Sequence, residues 1–573
     1  MSKKGDATAW SFLDDYRGKL FEEEWPNVRT MFHISVLRYP DNDCFKAFSP
    51  KKISFSYKEA EERIRAVSNY LLSQGAREGD KIAVSGKNSP EWAIAYLGII
   101  YAGCIVVPLD ILLKDNEMET LLRFGDVSRL FIDADRIENI DRDGSLGLVE
   151  KISLEPKEGY RYVLDLEGEE REGYEAKSDD VVAILFTSGT TGTPKGVMLT
   201  NENLVADCYL AQGYIDFRPD DVFYAILPIH HSYTMLAVMF ESFSVGACTV
   251  FGKKLVMSQM LKELREAHVT QFLAVPMLFN KMIAALMKGV REKGVLVYAL
   301  IRALMELSGA IKKLTGVNLG KKMFSFLLKK LSMENIRTCI CGGGPLPSST
   351  FKKFNQIGVN FVQGYGLTET SPVTHLNPPY AYKESSVGKS LPQCQVKIVD
   401  PDDEGNGVIY IKGPMVMKGY YKNEEATKEV LSPDGWLNTG DVGHQDQNGY
   451  LYLTGRAKSV IVTDGGKNVF PEEIEDHFQL YDEIEQICIL GYIIDKATKA
   501  EGIRAVIYPS ESIRKECADS AAVRTRMEEI VSLVNRDLQS YKKITRVDIS
   551  DSPLPMTSTK KIKRNEVLEM VGQ

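Results

Sequence analysis

Phe-Thr-Ser-Gly-Thr-Thr-Gly-Thr-Pro-Lys-Gly-Val, residues 186–197, decides how this chain is read, because ten of its twelve residues are hydroxylated, glycine, proline or lysine. Before it, residues 181–186 form an unbroken apolar and β-branched run, the signature of a buried strand. The chain therefore leaves a sheet at Thr187, Ser188, Gly189, Thr190 and Thr191. The glycines let backbone amides approach a ligand, the hydroxyls donate to oxyanions, and Lys195 adds a point charge. A polyphosphate, such as that of a nucleoside triphosphate, fits this set. A kinase-type phosphate loop needs Gly-Lys-Ser/Thr leading into a helix, whereas Lys195 is followed by Gly196 and an apolar pair. The plain alternative is a hydrophilic surface loop.

The chain has 573 residues, beyond the roughly 250–300 at which one core stops growing, so at least two domains are expected. A composition of 44% apolar and 26% charged residues is that of a soluble globular protein, and a net charge of -8 argues against nucleic acid as a partner. Nine scattered cysteines lack metal-ligand spacing and fit a reducing, cytoplasmic setting, with Cys339 and Cys341 as core residues. The first ten residues carry no apolar segment of a secretory signal. Residues 92–109 are free of charge but are interrupted by Gly103 and Pro108, and they read as a helix followed by a strand rather than a membrane span.

In the first hundred residues, Ile53, Phe55 and Tyr57 alternate as a half-buried strand. Ser56 and Glu59 make a capping box for a helix carrying Ala60, Ile64, Val67 and Leu71 and ending at Gly75, and a strand at 81–85 and a helix from Pro90 follow. Such alternation predicts an α/β architecture with a largely parallel sheet, binding its ligand at strand ends. Further along, His230 and His231 are adjacent. Neighbours in sequence seldom point at one ion and no third ligand is near in the chain, which speaks against a metal there.

Residues 284–333 stand apart. Between 288 and 330 lie ten basic residues and two acidic, a local charge of +8 in an acidic protein, interleaved with apolar side chains such as Val295, Leu296, Leu300 and Leu314. Basic amphipathic helices of this kind rest on anionic membrane surfaces; a solvated helical hairpin over a core has the same pattern.

Four more segments carry chemistry. Residues 339–347, Cys-Ile-Cys-Gly-Gly-Gly-Pro-Leu-Pro, run a strand into a glycine turn against which a flat ring can lie. Residues 363–372, Gln-Gly-Tyr-Gly-Leu-Thr-Glu-Thr-Ser-Pro, offer an aromatic ring, a hydroxyl and a carboxylate within five positions. Residues 436–443 supply Asp441, whose two oxygens can accept from a diol. Residues 553–567 end the chain with a cluster of lysines.

Together these motifs, in this order, resemble the adenylate-forming superfamily, and most of all its bacterial long-chain fatty acyl-CoA synthetases. The resemblance implies an α/β fold. A large N-terminal domain of stacked βα sheets with a small β-barrel-like subdomain would cover residues 1–457, and a small mobile α+β lid residues 458–573. It implies ATP, Mg²⁺ and coenzyme A, a fatty acid as substrate, an acyl carrier protein as the alternative acceptor, and a peripheral place on the membrane's inner face. Thr187, Ser188, Gly189, Thr190, Thr191 and Lys195 would then hold phosphates, Thr187 and Glu369 also counting as catalytic; Gly343, Gly344 and Tyr365 would face the adenine, with Pro345, Gln363, Gly364 and Gly366 in the same nucleotide site; Thr368 would hold the α-phosphate, Glu369 the metal, Asp441 the ribose, and Arg456 ribose and phosphate. His231, Tyr233 and Met235 would line the acyl pocket, although a helix-capping role suits His231 equally. Lys458 would be the hinge, and Gly465 and Gly466 the thiol passage. Lys561 would be the catalytic lysine, with Lys560 an alternative because it stands where the family has glycine. A catalytically dead adenylate-binding scaffold is the reading outside enzymes.

Overall fold

The structure, a computed structural model, describes residues 8–171, 174–187, 194–253, 256–463, 467–495, 500–557 and 561–572. Two large sheets dominate. The smaller has seven strands. Lys81–Ser85, Ile105–Pro108, Val127–Ile132, Glu150–Ser153 and Val181–Thr187 run parallel, and Lys195–Thr200 and Gly419–Tyr420 add an antiparallel margin. The larger has thirteen. Its parallel half joins Asp43–Ala47, Cys248–Phe251, Val222–Ala225, Gln271–Ala274, Thr338–Cys341 and Asn360–Tyr365. From Asn360–Tyr365 it continues, without a break in pairing, into the antiparallel strands His375–Leu376, Gly388–Ser390, Tyr450–Arg456, Leu437–Gln445, Gly407–Lys412 and Gln395–Val399.

The apolar runs became the buried parallel strands, because a strand covered on both faces needs no polar alternation. The expected capping box is present: the Ser56 hydroxyl accepts from the Glu59 amide at 3.2 Å, and Glu59 Oε2 accepts from the Ser56 amide at 2.8 Å. It opens helix Tyr57–Ser73, whose Ala60, Ile64, Val67 and Leu71 are fully buried. The strand before that helix departs from the expectation. Ile53–Ser56 pairs antiparallel with Asp43–Ala47 at the edge of the large sheet, while Lys81–Ser85 belongs to the other sheet. Alternation gives a strand its period but not its partner.

The uncharged run after residue 92 is explained by helix Pro90–Tyr101, every residue of which is buried. It packs against strands of both sheets, with Trp92 stacked on Tyr96 at 5.1 Å. Among the described residues no helix is long and apolar enough to cross a membrane.

Beyond Arg456 a separate, smaller α+β unit forms. Strands Ile484–Asp495, Ala500–Pro509 and Arg546–Ile549 make one sheet, covered by helix Ser520–Asp537 over its own core of Ile489, Ile507, Met527 and Ile530.

Candidate functional site

Between the two sheets and the C-terminal unit lies one large cavity of about 2760 Å³. The opening stretch of the sequence reaches it as a hairpin. Val181–Thr187 pairs antiparallel with Lys195–Thr200, so Thr187 faces Lys195 and Phe186 faces Gly196. Thr187, Pro194 and Lys195 line the cavity. Ser188, Gly189, Thr190 and Thr191 lie outside the described residues, as do Gly465, Gly466 and Lys560.

Opposite that hairpin, strand Asn360–Tyr365 delivers Gln363, Gly364 and Tyr365, followed by Gly366 and the short 3₁₀ turn Thr368–Thr370. Gly366 has no alternative, since a Cβ there would stand 1.7 Å from the backbone oxygen of Pro372. In the neighbouring glycine turn, Gly343 has φ +81°, and it lines the cavity together with Gly344 and Pro345. Tyr233 packs beneath this turn, its hydroxyl donating to Ile340 O at 3.0 Å.

Asp441 and Arg456 are register partners on adjacent strands. The Arg456 Nε pairs with Asp441 Oδ1 at 2.7 Å, and the Tyr365 hydroxyl donates to Asp441 Oδ2 at 2.6 Å. Burial pushes the Asp441 carboxyl up, and the charges of Arg456 and Lys561 oppose that shift. Burial, and then Asp441 itself, raise the Tyr365 phenol well above its usual range.

Glu369 opens onto the same cavity. Its Oε1 accepts from the Tyr420 hydroxyl at 2.9 Å, and the Lys195 ammonium lies 4.9 Å from the centre of the Tyr420 ring. On sequence alone the Gly-Tyr-Tyr segment around Tyr420 reads as structural support. Its link to Glu369 bridges fifty-one positions, which no local motif reveals. Among the described residues Glu369 forms no ion pair. A carboxylate with one oxygen fixed by a neutral donor is a hard oxygen ligand suited to Mg²⁺.

Lys561 reaches the cavity from the C-terminal unit. Met556 and Ile562 bridge antiparallel, and the Thr557 amide donates to Lys561 O at 2.8 Å, so the chain around Lys561 pairs back on the segment before it. The side chain is exposed to the cleft but enclosed by its walls. Lost hydration and then the Arg456 charge lower its pKa, while Asp441 and Glu369 raise it. Lys458, in the 3₁₀ turn Ala457–Ser459, also lines the cavity. Gln479 ties the unit to the cavity rim, accepting from Asn280 Nδ2 at 3.1 Å and donating to Pro345 O at 3.4 Å.

The histidine pair differs from expectation. Asp110 comes beside it, and its Oδ2 lies 3.6 Å from His230 Nε2, so a third potential ligand is near after all, supplied by a strand end remote in sequence. Burial pushes both imidazoles down to about 3, for His231 with help from His230. His231 occupies the N-cap position of Ser232–Thr234 but its side chain makes no cap hydrogen bond. Met235 is a correction. It is fully buried at the start of a π-helical turn, Met235–Phe240, and Leu236 and Ala237 line the cavity in its place. The wider π turn shifts which residues of this segment face the cavity, and the place given to Met235 by resemblance falls to its neighbours.

A family model described as AMP-binding enzyme matches residues 32–421. The chain is 28% identical to a chloroplastic long-chain-fatty-acid acyl-carrier-protein ligase of Arabidopsis thaliana, over 96% of this chain and 86% of that protein. It is 26% identical to a long-chain-fatty-acid–CoA ligase of Bacillus subtilis, over 95% and 94% of the two chains. Among solved structures, ATP-bound MatB from Rhodopseudomonas palustris superposes with a TM-score of 0.72 at 25% identity, covering 95% of this chain and 99% of that one.

Proposed function

The chain belongs to the AMP-binding enzyme family, and from that premise we propose that it is an ATP-dependent acid–thiol ligase that converts a medium- to long-chain fatty acid to its coenzyme A thioester. The observation that carries this reading is convergence. Glu369, Asp441, Arg456 and Lys561, from four separate segments, face one cavity together with Thr187 and Lys195.

A carboxylate is a poor electrophile and is repelled by triphosphate. In the first half-reaction a carboxylate oxygen attacks the α-phosphorus, the bond to the bridging oxygen breaks, and pyrophosphate leaves. Lys561 would neutralise charge shared between the carboxylate and the α-phosphate, and Thr368 would bond the latter. Thr187, Lys195 and the hairpin tip would hold the departing phosphates. Glu369 would hold Mg²⁺, which supplies charge neutralisation between phosphates. Tyr365 and the Gly343–Gly344 turn would cradle adenine, and Asp441 the ribose, once the ligand displaces the Tyr365 or Arg456 contact. In the second half-reaction the thiol sulfur attacks the acyl carbon, AMP departs, and the thiol proton is lost to solvent. The segment bearing Lys561 would occupy the space that the thiol needs, so the unit beyond Lys458 would rotate between the two steps.

Adenylation and thioester formation by Lys561→Ala test this reading separately. Pyrophosphate release should be nearly abolished while transfer from pre-made acyl-adenylate to coenzyme A persists; equal loss in both would sink the assignment. The Arabidopsis relative supports an acyl carrier protein as the alternative acceptor. Mass spectrometry of acids incubated with ATP, Mg²⁺ and either acceptor separates the two, since acyl-adenylate without acyl-CoA favours the carrier protein.

A further inference from the structure

Helix Val295–Thr315 has two apolar faces. One is used: Met305, Ser308 and Lys312 are buried against the body, with the Lys312 ammonium donating to Asn355 Oδ1 at 2.8 Å and Val359 O at 3.1 Å. The other is not. Leu296, Leu300, Leu307 and Leu314 are 86%, 61%, 54% and 85% exposed, and with the exposed Ala303 and Ala310 between them they recur at spacings of four and three. At 100° per residue these six positions fall within one narrow stripe, opposite the buried one. Over 21 residues the helix is about 31 Å long. The stripe runs nearly its whole length, a straight apolar line rather than a groove.

The same basic segment carries Lys288, Arg291, Lys293, Arg302, Lys322, Lys329 and Lys330, all exposed. None of the seven forms an ion pair among the described residues; of the acidic groups in this region, Glu306 pairs with Lys352 and Glu384 with Lys313, and Glu292 stands between Arg291 and Lys293. The exposed cations therefore outnumber the acidic groups among them. A second copy of the chain would bring two such surfaces, each carrying these seven exposed cations, face to face and repel. A plane of anionic headgroups over an apolar interior satisfies both features at once, taking the leucines into the acyl boundary and the lysines and arginines against phosphate.

We propose that this helix is a docking surface for an anionic lipid bilayer, lying in the interface without crossing it. Helix Pro276–Arg291 connects that surface to the cavity: Pro276, Met277, Asn280, Lys281 and Ala284 line the cavity, and its far end enters the basic turn. Delivery of an acyl substrate along this route rests on the fatty-acid reading; the docking does not.

Flotation with vesicles of phosphatidylglycerol and phosphatidylcholine, in the absence of substrates, tests it. The wild type should float with mixed vesicles, bind pure phosphatidylcholine about tenfold less or weaker, and release as salt rises. Leu296→Glu/Leu300→Glu/Leu307→Glu changes only exposed positions, so its thermal midpoint and pyrophosphate release should stay unchanged while vesicle binding falls by about tenfold or more. Lys288→Glu/Arg291→Glu/Lys293→Glu should do the same. Failure of the wild type to float, equal flotation of the variants, or a wild-type dimer that the leucine variant converts to monomer would each overturn the proposal. Loss of thioester formation with vesicle binding intact would count against the fatty-acid reading alone.

Discussion

Tyr420→Phe isolates one hydrogen bond at the proposed metal ligand. The ring stays, so its contact with the Lys195 ammonium at 4.9 Å is retained, and only the hydroxyl that donates to Glu369 Oε1 at 2.9 Å is lost. A hydrogen bond to a charged group contributes about 1.5–3 kcal/mol. Glu369 sits on a short 3₁₀ turn, Thr368–Thr370, with cavity on its open side, so little else fixes its carboxylate. If the whole contribution is felt in the transition state, adenylation falls roughly 10- to 150-fold, at 1.36 kcal/mol per factor of ten. The assay is pyrophosphate release at fixed ATP and acid with Mg²⁺ varied. A carboxylate left to swing should also raise the Mg²⁺ concentration needed for half-maximal rate. The reasoning is refuted by a rate within about twofold of wild type, or by a lower thermal midpoint with an unaltered Mg²⁺ dependence, which would make Tyr420 a packing residue.

Three further outcomes are expected. Glu241 is fully buried, accepts from Gln212 Nε2 at 2.8 Å, and is pushed up to about 8 by burial. The folded state therefore holds its proton more tightly than the unfolded chain does. The penalty is absent below the ordinary glutamate value of 4.5, grows between 4.5 and 8, and is complete above that. Glu241→Gln should stabilise the protein on the order of 4 kcal/mol at alkaline pH and hardly at all in mild acid, read by denaturant midpoints at both. Gly366→Ala places a Cβ against the Pro372 carbonyl, and should cost about 3 kcal/mol or more, with loss of adenylation, on the same measurement. In the proposed first step Lys561 would act through its charge, and lost hydration and Arg456 lower its pKa. Adenylation should accordingly decline with rising pH at a midpoint below that of ordinary lysine, about 10.4; a rate still flat at that pH contradicts it.

What the sequence made legible is what lies contiguous in it. Tyr365, Thr368 and Glu369 fall within five positions, so their chemistry is visible before any fold is known. The same holds for helix Tyr57–Ser73, whose cap and apolar face are both local. Tyr420, Asp110 and the Gln479 contact were not legible, because each depends on which strand end meets which, and hydrophobic period carries no such information. Met235 failed for a narrower reason: one π-helical turn moves the cavity face by a residue or two. The stripe on Val295–Thr315 was half legible. Its charge and periodicity could be counted, but only packing separates the apolar face that is covered from the one that is bare.

The Gln479 contact sets a population as well as a position. Its hydrogen bonds to Asn280 and Pro345 are at 3.1 and 3.4 Å, and the second lies at the long end of the range. Bonds of this kind contribute about 1 kcal/mol each at most. Under the proposed rotation, a bias of that size from these two bonds alone would leave on the order of several per cent of molecules undocked at rest. Under the proposed cycle, the bound adenylate would then choose the orientation by its differential contacts with the two faces, and the resting enzyme would already sample both.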